Sequence, residues 1–228
     1  MKCSLSLFLA AAAVIAAAAA RGNGPAQEMQ QGVSVQMADT NSATSMPEAD
    51  TFGAWIVTVT DSGKLYFGVH VVTADRLIDE MKSRPRDREQ KFYIKADART
   101  PYANVKKVYD AGREVGFETQ VLLTSQPSPP SHGTVVPPKG LEVWSSVPAE
   151  STTIRLQRSS GRWPRVKINR QMIPWTSLQD TTHEFLMNRS NAAVGIEADG
   201  QLPFGDVVRV IDVCRADGAK VALLAAEF

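Results

Sequence analysis

Cysteine is almost absent from this 228-residue chain: Cys3 and Cys214 are the two, and Cys3 lies in the extreme N-terminal segment. An internal disulfide framework is thereby excluded. An excess of charge of either sign is also missing, with 25 Lys and Arg against 24 Asp and Glu. No global field draws in nucleic acid or an anionic membrane. The sequence lacks a G-x-S-x-G elbow, a Walker loop, H-E-x-x-H and C-x-x-C, the usual starting points for hydrolase, nucleotide-binding and metalloprotease chemistry. His70, His132 and His183 have no metal-type spacing between any two. What is present is 43% hydrophobic and 21% charged residues, enough for compact cores, and two small domains fit better than one large one.

Met1-Lys2 followed by 17 uncharged residues, Ser4 to Ala20, ending in alanines, reads as a secretory signal peptide cleaved near Arg21. The alternative is a short membrane anchor, although at ~1.5 Å per residue the run reaches only about 25 Å. Residues 21–51 hold no aromatic side chain and are rich in Gln, Ser, Thr, Asn and Met, which predicts a flexible tether. Residues 126–150 carry six of the 13 prolines and read as a stiff linker. Within it Leu141 to Trp144 can form a short strand, which the flanking prolines would keep at a sheet edge.

Sliding the chain over itself by 102 residues aligns Ile94 with Ile196, Asp97 with Asp199, Pro101 with Pro203, Val108 with Val210, Asp110 with Asp212, Gly116 with Gly218 and Leu122 with Leu224. The chain therefore reads as a tandem duplication, with domains at 52–125 and 151–228. Each copy parses as a hairpin (Trp55 to Thr60 and Lys64 to Val72; Thr153 to Arg158 and Arg165 to Ile173), a helix, a short strand, a second helix opening at Pro101 or Pro203 and stopping at Gly116 or Gly218, and a last strand. The expected fold class is α+β, two copies of a small β-β-α-β-α-β domain with two helices on one face of a sheet and the other face uncovered. Two copies on one chain meet at an effective concentration of millimolar order, which predicts an intrachain pseudo-dimer of the repeats through uncovered sheet faces or edge strands.

The string Phe92-Tyr-Ile-Lys-Ala-Asp97, then Pro101-Tyr102, Val108-Tyr-Asp110-Ala-Gly-Arg113 and Val115-Gly116, resembles the periplasmic domain of the ExbD/TolR biopolymer-transport family. Val59-Thr-Asp-Ser-Gly-Lys-Leu-Tyr upstream agrees, and the second copy follows more loosely through Ile196-Glu-Ala-Asp199, Pro203-Phe-Gly205, Val210-Ile-Asp212 and Asp217-Gly218. The resemblance implies an extracytoplasmic module that pairs, with a proton-channel-type inner-membrane subunit and peptidoglycan as candidate partners. It also implies a membrane helix bearing a functional aspartate, yet Leu5 to Ala20 contains no acidic residue, so the ion-coupling role does not carry over.

Asp97 and Asp199 each end a strand four residues before a helix-opening proline, where a carboxylate accepts backbone N–H bonds; ligand or metal binding is the alternative role. Lys82, Arg84, Arg86, Arg88 and Lys91 form a basic stretch interrupted by Asp87 and Glu89, either a solvated loop or a contact for an anionic partner. Cys214 falls on the apolar helix face as a small hydrophobe. The reading is an exported, periplasmic, non-enzymatic envelope protein without a cofactor, acting through protein or peptidoglycan contacts. A soluble periplasmic enzyme or ligand-binding protein on the same fold, with Asp97 and Asp199 as site carboxylates, is the alternative.

Overall fold

The computed structural model describes residues 33–87, 89–125, 137–187 and 192–225. The signal segment at 1–20, the first part of the tether, residues 126–136 of the Pro-rich stretch with His132 among them, and Arg88 lie outside the described residues. No helix among the described residues is long and apolar enough to cross a membrane.

The first half begins with β1 (Thr44–Ser45) and a 3-10 turn, then runs β2 (Trp55–Val59), β3 (Leu65–Phe67), β4 (His70–Val72), α1 (Ala74–Ser83), β5 (Phe92–Ala96), α2 (Tyr102–Val115) and β6 (Thr119–Thr124). A further strand, β7 (Lys139–Trp144), precedes the second half. That half runs β8 (Thr152–Gln157), β9 (Arg165–Ile168), β10 (Gln171–Ile173), a 3-10 turn, α3 (Leu178–Leu186), β11 (Ala193–Ala198), α4 (Phe204–Ala216) and β12 (Lys220–Leu223). All twelve strands form one mixed sheet, ordered β10-β9-β8-β11-β12-β7-β6-β5-β2-β3-β4, with β1 added to β7.

The α+β class therefore stands, with three corrections of detail. Three strands, not two, precede the first helix of each half, because the runs 64–72 and 165–173 reverse direction midway. Gly68 (φ 63°) and Asn169 (φ 54°) take left-handed backbone at these reversals, which Gly permits without a Cβ penalty and Asn tolerates. The strand from the Pro-rich stretch is central, not at an edge. It pairs antiparallel with β6 over six residues, Thr119↔Trp144 to Thr124↔Lys139, and meets β12 at Ala222↔Trp144. Its prolines, Pro137, Pro138 and Pro148, fall outside the paired residues, so the ladder loses no N–H donor.

The third correction concerns the tether. Residues 36–45 pass Asp97, Ser125 and Asp212 and enter the sheet as β1, and Met46 and Ala49 beyond them are buried with Tyr93, Val121 and Leu123 on the sheet face away from the helices. Ser125 N donates to Ala38 O at 2.9 Å and Thr40 N to Ser125 O at 3.1 Å, giving the strap a backbone partner. Polar composition predicted an unanchored chain; four apolar side chains spaced along it, Met37, Ala38, Met46 and Ala49, are enough to dock it once backbone partners are supplied.

On the helix face, Val105, Val108 and Tyr109 of α2 and Val207, Ile211 and Cys214 of α4 join strand residues Ile94, Leu122, Leu141, Ile196 and Val221 in one continuous core. Periodicity at i, i+3, i+4 delivers these residues to one side of each helix. α2 stops at Gly116 (φ 95°), and Gly218 (φ 76°) follows α4 in the same backbone conformation. The equivalence of the two halves slips by one residue after these glycines. Ile94 pairs with Leu122 in the first half and Ile196 with Leu223, not Leu224, in the second.

Candidate functional site

Strands β5 and β11 are each followed directly by an aspartate, Asp97 or Asp199, and the short loop after it runs into a proline that opens a helix. These two corners meet. Pro101 and Pro203 form an antiparallel bridge. Tyr102 N donates to Leu202 O at 2.8 Å and Phe204 N to Thr100 O at 2.9 Å; Ala103 N donates to Gly200 O at 3.0 Å and Gly205 N to Ala98 O at 2.8 Å. Advancing or retreating by 102 residues converts each bond of a pair into the other, the self-complementary pattern of a two-fold interface.

The first N–H groups of a helix have no partner within it. Neither α2 nor α4 has a side-chain N-cap. Each helix is instead capped by the carbonyls of the opposite corner, so neither half completes its own helix N-terminus. Close approach is possible because Gly200 and Gly205 face Ala103 and Ala98: a Cβ on Gly200 would stand 3.0 Å from Ala103 Cβ, and one on Gly205 3.2 Å from Ala98 Cβ. Tyr102 and Phe204, the aromatic residues that follow the prolines, are buried beneath the junction.

The strap fastens to both halves. Asp97, 2% exposed, accepts from Gln36 N at 3.1 Å and from the backbone N, Nε and Nη2 of Arg99 at 3.0, 2.8 and 2.9 Å. The Arg99 side-chain hydrogen bonds, ahead of opposing desolvation, hold its carboxyl well below the usual range. Asp212 on α4 accepts from Asn41 N at 3.0 Å and Ser42 N at 2.8 Å, and Ser42 Oγ donates to the Asp212 carbonyl at 2.8 Å. Asp199 occupies the place of Asp97 in the second half and accepts from Gln201 N at 2.9 Å. Sequence reasoning noted the Asp110/Asp212 identity but gave Asp212 no role, because its partners lie about 170 residues away in a segment of low hydrophobicity.

The basic stretch does not converge on one site. Lys82 pairs with Glu114 at 3.1 Å and Lys91 with Glu48 at 3.9 Å. Arg84 donates to Gly53 O and covers the Trp55 and Phe67 rings, while Arg86 donates to Val115 O with its guanidinium 4.3 Å from the Phe117 centroid. These arginines extend the aromatic cluster of the first half. Cys214 is fully buried and its thiol is pushed up to about 12 by burial. Trp163 stacks on Trp175 at 5.7 Å, and His183 meets Asp217 at 2.7 Å. Among the described residues no cluster of three or more His, Cys, Asp or Glu is arranged to hold a metal ion.

Comparison with known families decides the affiliation: the family model described as "Biopolymer transport protein ExbD/TolR" matches twice, over residues 23–128 and 121–227. The chain belongs to the ExbD/TolR family. Members are envelope-associated accessory proteins of biopolymer transport that work with other subunits of envelope complexes. No curated protein and no solved structure gives a significant match. Both ExbD/TolR matches contain a corner, the first at Asp97–Pro101 and the second at Asp199–Pro203, so the strongest motif of the resemblance coincides with the junction between the halves.

Proposed function

We propose that this ExbD/TolR protein is an exported, non-enzymatic scaffold of the cell envelope that resembles the ExbD/TolR component of proton-motive-force-linked biopolymer transport and acts through protein or peptidoglycan contacts. In this reading, residues 52–125 and 151–228 are duplicated units that form a pseudo-dimer within one chain, and the N-terminal segment directs export to the periplasm. The observation that carries it is the reciprocal capping of α2 and α4, in which each half supplies the hydrogen-bond acceptors the other requires. Asp97 and Asp199 act as strand-end hydrogen-bond acceptors in this reading. The Asp97 carboxylate already meets three N–H groups of Arg99 and one of Gln36, which favours a structural over a catalytic role.

The test is affinity purification of the tagged full chain from detergent-solubilised envelopes. Co-recovery of a proton-channel-type inner-membrane subunit, or of peptidoglycan, supports the scaffold. Recovery of neither, together with a turnover abolished by Asp97→Asn and Asp199→Asn in a folded protein, would replace it with the soluble periplasmic enzyme.

A further inference from the structure

Between the strap and the sheet lies a cavity of about 230 Å³ lined by Met37, Ile56, Thr58, Leu123, Lys95 and Lys139, with Asp50 and Gly68 also in its wall. Lys95 is the unusual member. It sits on β5 with its side chain on the strap side of the sheet, half-buried, and among the described residues no carboxylate lies within ion-pair distance of its ammonium. Burial pulls the Lys95 pKa below its ordinary value, and the charge of Asp50 offsets only part of that.

The second half shows how this position is completed when a partner exists. Lys95 lies beside Thr58 in the β2–β5 register, and the corresponding place in the β8–β11 register holds Glu197 beside Arg155. Glu197 and Arg155 form an ion pair at 2.5 Å. In the first half a threonine stands where the counter-ion would be, the cation is unpaired, and open volume takes the place of a side chain. Burying an ammonium without a partner is costly, and an anion entering the cavity would relieve that cost.

We propose that this cavity binds a monocarboxylate carrying a short aliphatic group, with Lys95 as its counter-ion, Thr58 as a neighbouring hydroxyl, and Ile56, Leu123 and Met37 as the apolar wall. The volume lies below the ~300–1,000 Å³ of drug-sized sites, which restricts the ligand to a small group or the end of a larger one. Two lysines against Asp50 leave room for a single negative charge; a dianion would meet Asp50 across the same small space. A neutral apolar ligand would leave the ammonium unpaired. The site does not depend on the transport reading, because the cavity and the two sheet registers define it.

The shared carboxylate chemistry has two sources, a free small acid or the C-terminus of a peptide. The full chain is titrated with butyrate, with N-acetyl-alanyl-alanine and with the amide of that dipeptide, followed by calorimetry and by backbone amide shifts at Thr58, Gly68 and Leu123. Saturable binding of at least one carboxylate with no response to the amide is expected, and it should weaken about tenfold or more in Lys95→Met, the loss of a charged hydrogen bond. Saturation by butyrate alone assigns a free acid; saturation by the dipeptide alone assigns a chain end. Lys95→Gln guards against a folding defect in the first variant and must lose binding as well. Failure of both carboxylates to saturate, or undiminished binding by either folded variant, overturns the site.

Discussion

Pro101 and Pro203 face each other across an antiparallel bridge, separated in the chain by the same 102 residues at which the sequence repeats. The bridge is the centre of a junction whose two sides differ in one respect. The first half brings Ala98 and Ala103, and the second brings Gly200 and Gly205. Each contact is thus an alanine against a glycine. Pairing two first halves in this geometry would set alanine against alanine twice, at separations too short for methyl groups.

The glycines therefore have a measurable role. Gly200→Ala and Gly205→Ala should each destabilise the folded chain by about 1–3 kcal/mol, the usual cost of overpacking a close contact. Gly161→Ala, with only Ser159 Oγ at 3.5 Å from the new Cβ, should change stability by less than about 0.5 kcal/mol. Urea unfolding of the three variants compares them directly, and equal stabilities would mean that the corner does not depend on close approach.

Acid should loosen the strap. Asp97 has a carboxyl held well below its ordinary value, chiefly by Arg99 hydrogen bonds. A depressed folded pKa adds stability that is complete above the unfolded value near 4 and is lost as pH falls through the folded value. Asp97→Asn should lower stability by about 1–3 kcal/mol at neutral pH, since it removes the charge from a buried acceptor. Thermal unfolding of wild type and variant from pH 6 downward should show the difference shrinking below pH 4. A difference constant across that range would show that the carboxylate charge is not what holds Gln36 and Arg99.

Sequence and structure agree where the signal is local and diverge where partners are distant. The helix ends at Pro101, Gly116, Pro203 and Gly218 were legible because proline and glycine act on their own backbone. The pairing of the corners was legible only as far as the repeat implied that two like units would meet. The expected surfaces were uncovered faces or edge strands; the halves touch at the helix-opening corners, and their edge strands β6 and β12 are joined through β7. Met46 and Ala49 of the strap cover Tyr93, Val121 and Leu123 on the first half's open face, and β7 from the Pro-rich stretch fills the place between β6 and β12. Neither could be read from composition, because a polar strap held by Asp97 and Asp212 looks like any unanchored segment until its acceptors are placed. Lys95 was invisible as a site for a related reason. Its meaning comes from the cross-strand neighbour it lacks.

Cys214 provides a probe of global unfolding. Its thiol is fully buried and pushed up to about 12 by desolvation, and the reactive species is the thiolate. In the folded chain at pH 8 it should be silent to a thiol-reactive chromophore and should label only at the rate of opening of the α4 core. Labelling as fast as a free peptide thiol would mean that this part of the core is accessible to reagent.

The strand order leads to a last expectation, about the connection between the halves. β7 follows residues 126–136 in the chain, yet it pairs over six residues with β6, which precedes them, and it also meets β12. The Tyr109 hydroxyl of the first half reinforces this arrangement by donating to the Trp144 carbonyl and accepting from Leu223 N. A break in the chain between 126 and 136 therefore leaves the sheet, the capping of α2 and α4 and the strap's bonds to Asp212 in place. With a protease site inserted after Gly133, the two fragments should co-elute in size-exclusion chromatography and separate only in denaturant. Tyr109→Phe should cost the cleaved protein about 1 kcal/mol, because it removes the hydroxyl that donates to the Trp144 carbonyl. Fragments that separate under native conditions would show that the covalent link, and not the junction, holds the halves together.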